Sequence, residues 1–303
     1  MISIIITAWE DPKSTSMCIS LFLKEKVNEG IEILAACPDE ETKDAILDFR
    51  ERYPGIVHYH KQEREMPKND LMNDLMKKTK GRIIIFTDGN KFIQKGAVSH
   101  IIRSFKDERV GCVGGRIVPL NKRDNIFGYW AHLLTNAANV TRLERFRSEN
   151  GRKYIEFSAN LLAIKNNVIK DIPTDVAEDA VIPYMFFSRN YRLVYNDKAI
   201  VRVLYPTNMK DWIKQKTRSI KSHESLNKYI KNRNLRIKTF LNEIIHGSFI
   251  AISYPRNVRE FLWTLLLFPA RLYVWILSFY QIIVKKEQYE GSWSRSKSTL
   301  PLD

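Results

Sequence analysis

Arg82-Ile83-Ile84-Ile85-Phe86-Thr87-Asp88-Gly89-Asn90 is the stretch on which the reading of the chain turns. Four consecutive apolar residues, three of them β-branched, predict a strand buried on both faces. The run stops abruptly at an Asp-Gly-Asn turn. Toward the N terminus, Ile2 to Ala8 is a similar run, Glu32 to Ala36 another, and Ile56 to His60 an alternating one. Between them, residues 16–28, Glu40 to Tyr53 and 69–79 carry helical spacing, the last ending at Gly81. Strands alternating with helices predict a parallel sheet covered on both faces. Ligands of such sheets sit beyond the carboxyl ends of the strands. The polar residues placed to meet one are Trp9, Glu10 and Asp11, then Asp39, then Asp88, Gly89 and Asn90.

Toward the C terminus the pattern loosens. Val110 to Val118 reads as a strand with Gly114-Gly115 inside it, and Glu156 to Ile164 is another apolar stretch. Glu178 to Arg189 reads as a helix, and Tyr191 to Val203 as strand–turn–strand. From Arg202 to Lys238 there are eleven Lys or Arg against two acids. Beyond them, Phe261 to Val284 is largely apolar and aromatic with Arg271 as its one charge, and Lys285-Lys286 closes it.

Composition narrows the partners. The net charge of +15 favours anions: nucleic acid, acidic lipid or a phosphorylated substrate. Few aromatics interleave the basic stretch and no RNA-binding motif accompanies it, so nucleic acid is not expected. Three cysteines without CxxC spacing (Cys18, Cys37, Cys112) argue against a disulfide framework or a zinc site and suit a reducing compartment. His58 and His60 share one side of a strand, but nothing else clusters with them as a metal site would require. The opening Met-Ile-Ser-Ile-Ile-Ile-Thr has no basic n-region, so no secretory leader is expected.

Three short patterns carry chemistry. Asp88 and Asn90, two apart on a turn, offer the hard oxygens that Mg2+ or Mn2+ prefers, although Asp-Gly-Asn is also an ordinary turn. Glu178-Asp179 opens a helix, where acids are favoured by the dipole and where one of them could instead serve as a general base. Gln215 and Arg218 are three apart and share a helix face, and an arginine there can clamp a phosphate.

The order of these features resembles family 2 glycosyltransferases over roughly residues 1–220. The family's opening strand ends in a pattern like Pro-Ala-Tyr-Asn-Glu, and here it is Thr7-Ala8-Trp9-Glu10-Asp11. An acidic turn that holds the nucleoside follows its second strand, matched by Cys37-Pro38-Asp39-Glu40-Glu41-Thr42. The segment before the metal motif is matched by Pro67-Lys68, Met72-Asn73 and Gly81-Arg82, and the Asp-x-Asp itself becomes Asp88-Gly89-Asn90. Val113-Gly114-Gly115-Arg116 stands for the Gly-rich strand, and Ser158-Ala159-Asn160 with Ala163-Ile164-Lys165 for the acceptor-side strand. Glu178-Asp179 matches the base motif, followed by Asn190-Tyr191-Arg192 where the family has Gly-Tyr-Arg. Gln-x-x-Arg-Trp is matched by Gln215 and Arg218, with Ser219 in place of the tryptophan typical of polysaccharide synthases.

The resemblance implies a GT-A fold, an α/β architecture with a mostly parallel twisted sheet flanked by helices. It divides the chain into a catalytic domain over 1–220, with a nucleotide-binding half to about 118 and an acceptor half from about 119. It further implies an inverting transfer from a nucleotide sugar, with a UDP-sugar favoured, to a hydroxyl of a lipid-linked or cell-surface glycan. In that scheme Asp179, or its neighbour Glu178, deprotonates the acceptor, and Asp88 with Asn90 holds Mg2+ or Mn2+. Lys68 and Arg218 add positive charge at the diphosphate, Asp39 with Glu10 or Asp11 holds the base and ribose, and Ala8 and Gln215 belong to the same nucleotide-sugar site. Ser219 favours a single transfer over processive synthesis. The rival classes are a nucleotidyltransferase, which would need a basic Gly-rich loop where Trp9-Glu10-Asp11 stands, and an inactive membrane-associated glycan-binding scaffold.

The remainder divides into a basic helical extension (221–259), apolar interfacial or transmembrane helices (260–286) and a polar tail (287–303). The apolar run is long enough to cross a bilayer, but a central Arg271 costs about 2.5–3.5 kcal/mol on insertion. With Pro269 beside it and aromatics scattered throughout, two shorter interfacial helices broken at Pro269 are expected. They would lie on the anionic, cytoplasmic face of a membrane. A hairpin packed on the catalytic domain is the plain alternative.

Overall fold

The computed structural model describes residues 1–62, 66–230, 247–287 and 297–299. The expected elements of the N-terminal half form with boundaries shifted by a few residues. They are β1 (Ile2–Thr7), α1 (Pro12–Leu23), β2 (Ile31–Cys37), α2 (Glu40–Arg52), β3 (Val57–Lys61), α3 (Lys68–Met76) and β4 (Ile83–Asp88). After the Asp-Gly-Asn turn come β5 (Lys91–Ile93), α4 (Ala97–Ser104) and β6 (Val110–Pro119). The chain continues through α5 (Ile126–Glu149), β7 (Leu162–Lys165), α6 (Glu178–Phe187), β8 (Arg192–Val203) and α7 (Met209–Glu224). Two further helices, α8 (Ser248–Ser253) and α9 (Val258–Phe279), follow.

Eight strands form one sheet in the order β3-β2-β1-β4-β7-β6-β8-β5. The sheet is mixed and not purely parallel: β7 runs antiparallel to both β4 and β6, and β5 antiparallel to β8. The alternating βα pattern that predicts parallel pairing is broken after β6, where α5 and an irregular segment deliver β7 from the opposite direction. The strand–turn–strand expected at 191–203 is one long strand. Its pairing with β6 skips from Asn196 opposite Gly115 to Ile200 opposite Arg116, so the turn-like residues form a bulge in a continuous strand.

Strand alternation divides the core. Ile4, Ile6, Ile83 and Ile85 point to one face, where Ile19, Phe22, Ile46 and Ile101 of α1, α2 and α4 cover them. Ile5, Ile84 and Phe86 point to the other, under Leu71 and Leu75 of α3 and Val181 and Phe186 of α6. Cys18, Cys37 and Cys112 are buried free thiols within these layers.

A third core is wholly helical. Tyr129, Trp130 and Leu133 of α5 pack with Trp212 and Ile220 of α7, Ala251 of α8, and Leu267, Val274 and Trp275 of α9. The Trp130 and Trp212 rings lie 5.0 Å apart, and Trp130 Nε1–H donates to the Trp263 carbonyl at 2.7 Å. α9 runs unbroken through Pro269, so the expected division into two helices does not occur. Interior proline removes a helical hydrogen bond and costs about 3 kcal/mol. Burial of Leu267, Val274 and Trp275 on the opposite face offsets that cost. Arg271 lies on the same inward face, so the side chain that argues against a lipid environment points into the protein. Together with the turn that follows it, Val258–Val284 is long and apolar enough to cross a membrane by length and composition. Residues 231–246 of the basic extension expected over 221–259 lie outside the described residues.

Candidate active site

The carboxyl ends of β1 and β4 open into a cleft of about 360 Å³. Three elements close it: the start of α3, the start of α6 and one face of α7. Gly89 is required at its floor, because a Cβ there would come within 2.5 Å of Thr15 Oγ1 and 2.9 Å of the Ala8 Cβ. That close approach lets the β4–β5 turn sit directly on the β1–α1 loop.

An ion triad ties the strand ends together. Lys68 Nζ lies 2.6 Å from Asp88 Oδ1 and 2.7 Å from Glu178 Oε1, and Thr7 Oγ1 donates to the same Asp88 oxygen at 3.1 Å. Lys68 is the first residue of α3, where the helix dipole disfavours a cation. Two carboxylates reverse that preference: burial would strip the proton from Lys68, but Asp88 and Glu178 raise its pKa instead. Burial likewise opposes the Asp88 charge, yet Lys68 and Lys91 hold its carboxyl below the usual range. Glu178 is buried beside Lys68, whereas Asp179 is half-buried on the cleft wall.

The loop that carries these acids is pinned by α3. Asn69 Nδ2 donates to the carbonyls of Pro173 and Val176 at 2.6 and 2.8 Å. Asn73 brackets Ile172, donating to its carbonyl at 2.9 Å and accepting its N–H at 2.7 Å. Of the three α3 residues, Lys68 and Asn73 stand in the patterns quoted from the sequence; Asn69, adjacent to Lys68, carried no signal of its own.

The cleft brings together most of the expected residues: Ala8, Asp11, Lys68, Asp88, Asn90, Glu178, Asp179, Gln215 and Arg218 all line it. Glu10 and Asp39 do not. Asp39 caps α2 through Thr42 N–H at 2.9 Å and accepts the Glu10 N–H at 2.7 Å. This contact holds Glu10 at φ 47°, a left-handed conformation that a β-carbon disfavours. Asp39 therefore braces the β1–α1 loop from outside the cleft. The sequence reading did not name Lys91, Thr15, Lys214 or Ser222, which also line it.

Two buried oxygens, Asp11 Oδ2 and Gln215 Oε1, find no donor among the described residues. Buried acceptors are normally satisfied, so two orphans lining one cleft suit a ligand rich in hydroxyls or N–H groups. For a divalent cation the donor chemistry is suitable: Asp88 and Asn90 present carboxylate and amide oxygens on a short turn. Lys68 and Lys91 hold those oxygens, Lys91 donating to Asn90 Oδ1, and would have to share them with the ion. No cluster of three His, Cys, Asp or Glu suited to a metal occurs among the described residues.

The glycosyltransferase like family 2 model matches residues 1–222, which includes nearly all of the cleft. The chain belongs to this family. An N-acetylglucosaminyltransferase from Neorhizobium galegae is 20% identical over 225 residues, 70% of this chain and 52% of that protein. The chain thus spans about half the length of that curated relative. A mannosyltransferase from Pyrobaculum calidifontis, solved in complex with GDP-Man and Mn2+, superposes with a TM-score of 0.60 at 14% identity, covering 93% of this chain and 80% of that one. GalNAc-T7 with UDP, GalNAc and Mn2+ gives 0.50 at 17% identity, covering 68% of this chain and 43% of that one. At such identities the likeness is one of fold, the GT-A architecture of these glycosyltransferases.

Proposed function

We propose that the chain is an inverting glycosyltransferase that moves one sugar from a nucleotide-sugar donor, a UDP-sugar in the first instance, to an acceptor hydroxyl. The observation that carries this reading is a pair of adjacent carboxylates on the cleft wall beside a cation. Glu178 pairs with Lys68, and both Glu178 and Asp179 line the cleft. Asp179 takes the acceptor proton as the hydroxyl oxygen forms its bond to the anomeric carbon. The bond from that carbon to the diphosphate oxygen breaks on the opposite face, which inverts the centre. Arg218 and Lys214 receive the departing charge, and Asp11 and Gln215 accept hydrogen bonds from donor hydroxyls. Asp88 and Asn90 would hold Mg2+ or Mn2+, whose chemistry is to neutralise the diphosphate.

The same reading places the protein on an anionic membrane at its cytoplasmic face, acting on a lipid-linked acceptor. α9 turns Leu262, Leu266, Tyr273 and Ile276 outward, each about half exposed or more, and α8 adds Phe249 at 79%. Since α9 is docked along α5 and α7, an orientation in the membrane plane fits it better than a span.

The test is turnover of UDP- and GDP-sugars by the full chain. Asp179→Asn should lower the rate at least about 10²-fold with donor affinity near normal. Nucleotide binding without turnover of any donor would instead favour an inactive scaffold.

A further inference from the structure

The sequence assigns residues 287–303 to a polar tail, but part of it returns to the cleft. Lys297–Thr299 forms one 3-10 turn against the start of α7. The Ser298 N–H donates to Asp211 Oδ2 at 3.0 Å and its hydroxyl to the same oxygen at 2.6 Å. The Thr207 N–H donates to Ser298 Oγ at 3.4 Å. Asn208 caps α7 by accepting the Asp211 N–H at 2.9 Å, and its Nδ2 donates to Asp211 Oδ2 at 3.3 Å, so the carboxylate joins the helix start to the turn. The Ser298 contacts to this oxygen, at 3.0 and 2.6 Å, are the shorter ones, and a charged acceptor makes the stronger kind of hydrogen bond.

The lock has a consequence for the cleft: Thr299 becomes part of its wall. On the facing side of α7, residues 214, 215, 218, 219 and 222 recur at helical spacing and line the same space. Lys214 and Arg218 are pure donors, and Ser219, Ser222 and Thr299 add hydroxyls that can donate. Such a surface suits an anion whose oxygens only accept. The turn also lies beyond residue 222, where the family match ends.

We propose that the turn Lys297–Thr299 is part of the donor site, with the Thr299 hydroxyl completing, beside Lys214 and Arg218, the wall that receives the donor's diphosphate. Asp211 and Ser298 are the positioning residues that hold it there. This rests on the nucleotide-sugar reading above.

The experiment titrates UDP and GDP into the full chain by calorimetry and follows donor KM and kcat separately. Ser298→Ala and Thr299→Val should each weaken nucleoside diphosphate binding about tenfold, the scale of one hydrogen bond to a charged group. Donor KM should rise by a similar factor with kcat little changed. Ser298→Thr keeps the hydroxyl and should restore wild-type affinity. A chain ending at Glu287 should show the same loss as Ser298→Ala. Wild-type affinity in both Ser298→Ala and Thr299→Val, with or without a lower melting temperature, would overturn the proposal and leave the transferase reading intact. Failure of the wild-type chain to bind either nucleotide would overturn both.

Discussion

The two walls of the cleft are built differently. On the strand side, Lys68, Asp88 and Glu178 come from three separate elements, and Lys68 lies within 2.7 Å of both acids. On the helix side, Lys214, Gln215 and Arg218 stand on a single helix whose opposite face, through Trp212 and Ile220, is buried against α5 and α9. The first wall is organised by charge pairing around the sheet. The second is held in place by an apolar core that α5, α7, α8 and α9 build together. A ligand therefore meets one wall that is set before it arrives and another that depends on how α9 and the C-terminal turn are docked.

That contrast is most exposed at Lys68. Lys68→Met leaves the buried Glu178 carboxylate without its cation and Asp88 with Lys91 alone, a change that costs about 3–5 kcal/mol. Transfer should be abolished and the melting temperature should fall. Lys214→Met, on an exposed side chain of the other wall, should alter stability by less than about 0.5 kcal/mol. Equal losses of melting temperature in the two variants would erase the distinction between the walls.

A smaller effect is expected where α9 is tethered. Arg123 Nε and Nη2 each lie 2.7 Å from a Glu260 oxygen, joining the approach to α5 to the start of α9. The Arg123 hydrogen bond holds the Glu260 carboxyl below its usual range. A depressed carboxylate pKa stabilises the fold above the unfolded value of about 4.3, and the contribution is lost as pH falls through the folded value. Arg123→Met should therefore melt lower than wild type at pH 7, with the gap closing toward pH 3. A gap that stays constant with pH would show that the pair is not what docks α9.

The smallest effect concerns the outward face. Leu262→Glu, Leu266→Glu and Ile276→Glu combined should reduce sedimentation with anionic vesicles several-fold, since each removes apolar area and adds a repelled charge. Melting temperature and transfer to a soluble acceptor should hold, because these side chains are 53%, 53% and 59% exposed. Unchanged vesicle binding would remove the membrane from the reading.

Much of the strand wall was legible in the sequence. Ile-rich runs such as Ile83–Phe86 have one way to be buried on both faces, and the polar residue that follows each run has one place to go. The pairing of Lys68 with Glu178 was not legible. They are 110 residues apart, and each alone suits a ligand as well as it suits the other. α5 escaped detection because its polar and apolar residues do not separate into two clean faces along its 24 residues. Pro269 misled for a related reason: local propensity counts the lost hydrogen bond but not the burial on the other side of the helix.

What the sequence alone determined is the family resemblance, the order of β1 to β4 along the chain and most of the residues from which the cleft is drawn. These follow from local periodicity and from short motifs, which act over a few residues. Only the tertiary structure decided the reversal of β7, the commitment of Glu178 to Lys68, the inward turn of Arg271 and the return of Ser298 and Thr299 to the cleft. Each of these depends on contacts between residues far apart in the chain, and their free energy exists only once both partners are in place.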